Sequence, residues 1–159
     1  MQAVTVADLA VSGAALLALN NAHAAELSWL EADKLAVMVG EAFAARRVGV
    51  ADALLIAFDQ AAAYDSPNFL WFRERYDRFV YVDRIVVAEA ARGRGLAKAL
   101  YLELFAAATA AGHTRVVCEV NAEPPNPASD AFHAALGFVE VGTAELGGGK
   151  VVRYFERGV

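Results

Sequence analysis

The chain has 159 residues, an apolar fraction of 58% and a formal net charge of −5, enough for one compact domain over residues 1–159 and too short for two ordinary ones. An acidic chain of this kind lacks the Lys and Arg needed to displace counterions from a phosphate backbone, so no nucleic-acid partner is expected. Its single cysteine, Cys118, excludes an internal disulfide and reads as a buried strand thiol.

In chain order, Gln2 to Val6 reads as a short first strand, with Ser12 as the expected cap of a helix running to about Glu26. The apolar stretch Leu9 to Leu19 is cut by Asn20 and Asn21 before the ~20 residues a bilayer requires, so no membrane span is expected. The first Lys or Arg is Lys34, which leaves no cationic leader and makes a cytoplasmic location the expectation. A second helix is predicted from Glu31 to Gly40, then two strands, Ala42 to Val50 and Ala51 to Gln60. The segment Ala62 to Arg78, broken by Pro67, reads as a long surface connection or irregular helix.

Phe79 to Val87 is nearly continuous in β-branched and aromatic residues, the pattern of a central strand, interrupted by Asp83 and Arg84. Leu96, Leu100, Leu104 and Ala108 then form a helical stripe that Gly112 ends, and Arg115 to Asn121 reads as a strand parallel to the one before the helix. Asn126 as cap and Pro127 at the first helical position start another helix, stopped at Gly137. The strands Phe138 to Val141 and Lys150 to Arg157, joined through Gly142 to Gly149, predict an antiparallel hairpin. The fold class is α/β with a mixed sheet.

The stretch Ala91 to Leu100 sets Arg92, Gly93, Arg94 and Gly95 between a strand and a helix. Helix-start N–H groups lack internal partners and carry partial positive charge, glycine admits close approach, and Arg92, Arg94 and Lys98 add full charge. That combination suits a diphosphate. The dinucleotide fingerprint fails because Lys98 occupies its third small position, and no Walker A string exists.

Arg92 to Ala97, preceded by the strand Arg84 to Val87, resembles the Arg/Gln-x-x-Gly-x-Gly/Ala signature of the GNAT superfamily of N-acetyltransferases. Asn126 to Phe138 resembles the Asn-x-x-Ala/Ser-x-x-aromatic-Tyr-x-x-x-Gly-Phe segment of the same superfamily, at the expected distance downstream. The resemblance implies the acyl-CoA N-acyltransferase fold, six to seven strands flanked by about four helices, with acetyl-CoA as cosubstrate and no metal. It implies that Arg92, Gly93, Arg94, Gly95, Leu96 and Ala97 cradle the coenzyme pyrophosphate, that Ile85, Val86 and Val87 pair with the pantetheine arm, and that Asn126 and Ser129 lie beside that arm. It further implies a bulge near Val86 or Val87, offering an N–H to the thioester carbonyl.

Transfer of an acetyl group to an amine requires a proton acceptor for the amine and a hydrogen-bond donor for the departing thiolate. The family's tyrosine is replaced here by His133, which either serves the sulfur or fills the tyrosine's space on a helix surface. Glu119 and Asp83 are carboxylates within apolar strands; each is either a base or bound into an ion pair or backbone bonds, and Glu119 is favoured as base. His23, Tyr64, Asp65, Asn68, Trp71 and Phe72 are candidates for the acceptor side, with Trp71 and Phe72 also readable as core anchors, and His113 reads as a helix-end surface residue. The histidines and the cysteine are too far apart in sequence to suggest zinc. Ser129 and His133 lie one helical turn apart, but a hydrolase nucleophile requires a strained elbow and not a plain helix start.

The expected activity is acetyl transfer from acetyl-CoA to a primary amine of a small molecule or peptide by direct attack; the alternative is a module that binds acyl-CoA without turnover, to sense it or to dock a partner. No membrane partner is expected, and a homodimer is compatible with the family.

Overall fold

The uninterrupted apolar run Ala53 to Phe58 has no side that tolerates water, and it is buried throughout. In the computed structural model, which describes residues 1–159, it lies within a seven-stranded sheet of order β1-β2-β3-β4-β5-β7-β6. The strands are β1 Gln2–Ala3, β2 Ala44–Val48, β3 Ala53–Asp59, β4 Val80–Val87, β5 Arg115–Glu123, β6 Val139–Leu146 and β7 Lys150–Gly158. The pair β4 and β5 is parallel and every other pair is antiparallel. Four helices of nine residues or more, α1 Leu9–Ala22, α3 Ala32–Glu41, α5 Leu96–Ala110 and α6 Pro127–Ala135, are joined by two short ones, α2 Ala24–Leu27 and α4 Pro67–Arg73.

Alternation along the strands divides the core in two. Leu54, Ile56, Phe58, Tyr81, Val117, Val152 and Tyr154 face α1, α3 and α4. Leu55, Ala57, Val80, Val82, Cys118, Val120 and Phe155 face α5 and α6. Cys118 is buried, as expected.

Local chemistry moves some boundaries from those expected. Helix α1 starts before Ser12: Thr5 and Asp8 exchange hydrogen bonds in a tight turn, so the helix begins at Leu9, and the Ser12 hydroxyl donates to the Asp8 carbonyl within its first turn. Pro67 starts α4 and does not break it, because a first-turn proline forfeits no helical bond. Phe69 and Phe72 are buried there, and Trp71 stacks on Tyr154 with centroids 4.1 Å apart. The hairpin turn is confined to Gly147–Gly149, since Gly142 continues β6 at a place where a Cβ would collide with the Trp71 ring. His113 is not a surface residue: at 4% exposed it packs edge-on to Phe43 at 5.3 Å, since the chain turns inward after Gly112. Burial pushes its pKa down.

Candidate active site

The parallel strands β4 and β5 pair only through Val80–Val116 and Tyr81–Val117 and then part. The cause lies in β4, where Ile56 pairs with Arg84 and Ala57 with Val82, leaving Asp83 as an extra residue in a bulge. The expected bulge near Val86 or Val87 is therefore earlier in the strand. It turns Asp83 and Arg84 to the α1 side together: the Tyr64 hydroxyl donates to one Asp83 oxygen, Arg84 Nε to the other at 2.7 Å, and Arg84 Nη1 to Asn20 Oδ1 at 2.6 Å.

Beyond the bulge, regular pairing resumes with β3. The Ala88 N–H donates to Asp52 O, so by antiparallel alternation Ile85 and Val87 turn their N–H and C=O groups away from β3 toward the gap, while Val86 faces β3. The edge of β4 expected to meet a pantetheine arm is thus an open one.

The gap is the floor of a cleft of about 340 Å³. From the α5/α6 side it receives Tyr101, Cys118, Asn126, Ser129 and His133; from the other side, Tyr64, Asn68, Asp83, Arg84 and Glu119. His133 is 5% exposed and not on the helix surface. Its Nδ1 lies 2.8 Å from the Ser129 carbonyl, which only accepts, so Nδ1 carries the proton, and Nε2 accepts from the Tyr101 hydroxyl at 2.7 Å. Burial lowers the His133 pKa and holds the ring neutral. The Ser129 hydroxyl, 3.2 Å from that same Nδ1, faces a protonated nitrogen and gains no base. Tyr101 is fully buried, and desolvation pushes its phenol well up.

Glu119 differs from every group around it. Its Oε2 is buried with no hydrogen-bond partner. Burial first, and then the neighbouring Asp83 charge, push its pKa up to about 8, against the lowering effect of Tyr81 and Asn68. Asp83, by contrast, has both oxygens engaged.

The turn before α5 has the geometry of an anion cradle. Gly93 and Gly95 hold φ of +79° and +72°, and the space over both is open. The N–H groups of Gly93, Arg94, Gly95, Leu96, Ala97 and Lys98 donate to nothing within the chain. Asn126 caps α6, its side chain accepting from the Ser129 N–H at 3.3 Å. Arg94 reaches Asp52 at 3.3 Å and Arg92 reaches His23 Nε2 at 3.3 Å, which puts His23 beside the cradle and not on the acceptor side. Of the other acceptor candidates, Tyr64 and Asn68 line the cleft, Asp65 borders a separate groove, and Trp71 and Phe72 are core anchors. Sequence reasoning missed Tyr101, hidden among the apolar residues of α5, and Arg84 with Asn20, which are 64 positions apart.

A sheet that parts between two parallel central strands beside a glycine-bounded helix start defines a class. The acetyltransferase (GNAT) family model matches residues 68–138. Over its whole length the chain is similar in fold to the ribosomal-protein-S18-alanine N-acetyltransferase from Escherichia coli, with 17% identity, TM-score 0.67, and 99% of this chain and 91% of that one covered. It is also similar to Ard1 from Thermoplasma volcanium, at 13% identity, TM-score 0.73, and 99% and 95% covered. A third, Arabidopsis thaliana NAA60 in complex with acetyl-CoA, gives 18% identity, TM-score 0.72, and 99% and 98% covered. No protein of curated function matches by sequence. The GNAT family model thus matches the signature-bearing segment, and the chain as a whole has the GNAT fold.

Proposed function

We propose that the protein transfers an acetyl group from acetyl-CoA to a primary amine by direct attack, without a covalent enzyme intermediate. The observation that carries this reading is the cleft itself, with Glu119 and its unpartnered Oε2 on one side of the β4/β5 gap and the Tyr101–His133 pair on the other. A binding-only role would give no reason to hold a costly buried carboxylate there.

Acetyl-CoA fits the residues present. Six consecutive free N–H groups and the Lys98 ammonium suit its pyrophosphate, and the open edge at Ile85 and Val87 suits its pantetheine amides. When bound it supplies the activated acetyl group. The Val87 or Ile85 N–H polarises the carbonyl oxygen at the gap. Glu119 takes the proton that the amine loses as its nitrogen bonds to the carbonyl carbon. Tyr101 replaces the family's tyrosine from a different helix: its single hydroxyl proton, donated at rest to neutral His133 Nε2, leaves that bond to donate to the sulfur and stabilises the thiolate as the C–S bond breaks. The proton lost by the amine equals the one gained by the coenzyme thiol, so the transfer closes without a further reactant. Asp83 holds Tyr64 and Arg84 in place as a positioning residue.

The test is thiol release. It is expected only when acetyl-CoA and an amine are both present, and silence across small amines, amino acids, polyamines and peptides would overturn the reading.

A further inference from the structure

The cations of the chain are almost all spoken for. Of fourteen Lys and Arg side chains, twelve meet a carboxylate, a carbonyl, an amide, a histidine or an aromatic ring, and the two that meet none of these are Lys98 and Lys150. Lys98 sits in the first turn of α5, among the free amides of the cradle. Lys150 opens β7 and lines the cleft.

Parity along β7 puts Lys150 on the same face as Val152 and Tyr154, the face turned to α1, α3 and α4. Tyr154 pairs with Glu119, so Lys150 and Glu119, with its unpartnered Oε2, share the acceptor half of the cleft, on the opposite face of the sheet from α5. A cation there does not serve phosphates held at α5. The other cation in that half, the Arg84 guanidinium, is bound to Asp83 and Asn20. Glu26 of α2 also lines the cleft without an ion-pair partner, and its charge disfavours an anion on its own wall. The hairpin wall is left as the place for one.

From this we infer that the acceptor is a small primary amine that also bears an anionic group, the amine delivered to Glu119 and the anion held by Lys150. The inference rests on the acetyltransferase reading and names the substrate class for that same site. Lys150 lies four positions from Tyr154, roughly 13 Å along the strand at ~3.3 Å per residue. No ion pair joins Lys150 to Glu119, whose Oε2 has no partner, and strand side chains stand roughly perpendicular to the sheet, so amine and anion are separated by several bonds and do not share one carbon. An ω-amino carboxylate has that form; an α-amino acid does not.

The experiment measures thiol release from acetyl-CoA with 5-aminopentanoate, pentylamine, 1,5-diaminopentane and glycine. Wild-type kcat/KM is expected to be about tenfold higher for 5-aminopentanoate than for each of the other three. K150R should keep the preference, and K150E should reverse the ratio of 5-aminopentanoate to 1,5-diaminopentane, with thermal stabilisation by acetyl-CoA reporting that the variant is folded and binds. Equal rates for the charged and neutral amines, or a preference for the diamine or glycine in wild type, would overturn the inference and leave acetyl transfer standing. A preference unchanged in K150E would overturn the role of Lys150. No release with any of the four or with the wider amine panel would remove the activity and the inference together.

Discussion

The two faces of the sheet meet at one gap and are built on opposite principles. On the α5/α6 side the ionisable groups that line the cleft are neutral: His133 is bonded at both nitrogens and Tyr101 is held protonated by burial, while charge is confined to the cradle, where Arg92, Arg94 and Lys98 stand beside free backbone N–H groups. On the other side Asp83 and Arg84 neutralise each other, while Glu119 is left with a bare oxygen and a pKa pushed up to about 8. In the proposed reaction one face holds the coenzyme through amides and the cradle cations, and the other keeps an expensive group whose cost is repaid only in catalysis. The lesson is that the proposed base is recognised by an unsatisfied buried oxygen, and the proposed holding face by its free amides and the unpaired Lys98 among them.

The comparison breaks most sharply at Glu119. E119Q should lower kcat/KM by about 10²- to 10⁴-fold, the range of general base catalysis, measured as thiol release under amine saturation and below it. Next is the cradle: Gly95→Val forces a β-branched residue into φ of +72°, and acetyl-CoA should bind at least tenfold more weakly by calorimetry with far-UV circular dichroism unchanged. Y101F removes the hydroxyl and leaves the ring, so kcat should fall about tenfold with little change in the KM for acetyl-CoA; a larger loss in H133A than in Y101F would assign the sulfur contact to His133 instead.

The smallest effect concerns stability. Because the folded pKa of Glu119 is raised above its ordinary value of 4.5, the folded state binds more protons between pH 4.5 and about 8, and stability falls as pH rises through that window. E119Q should therefore raise Tm more at pH 9 than at pH 5.

The holding face was legible in the sequence because its parts are local. Gly93, Gly95, Asn126 and Pro127 impose backbone conformations within a few residues of themselves, and the structure has each at its expected helix start. The strand Phe79 to Val87 was equally readable, yet its bulge was not, since an extra residue in β4 is defined only by its pairing with β3. The acceptor face resisted reading for the same reason. Asn20, Tyr64, Arg84, Glu119 and Lys150 come from five separate parts of the chain, and nothing in the neighbourhood of any one of them encodes the others. Glu119 stood out because a carboxylate in an apolar strand is conspicuous; Tyr101 did not, because an aromatic residue within an apolar helix is ordinary.

The division of labour across the gap is tested most directly by the ratio of kcat/KM for wild type to that for E119Q, followed with one amine from pH 6 to 9. The ionisation of the amine is common to both enzymes and cancels in the ratio. A ratio that climbs with pH and levels off above about pH 8 is the result expected if Glu119 accepts the proton in its ionised form. A ratio that stays flat across the range would contradict it.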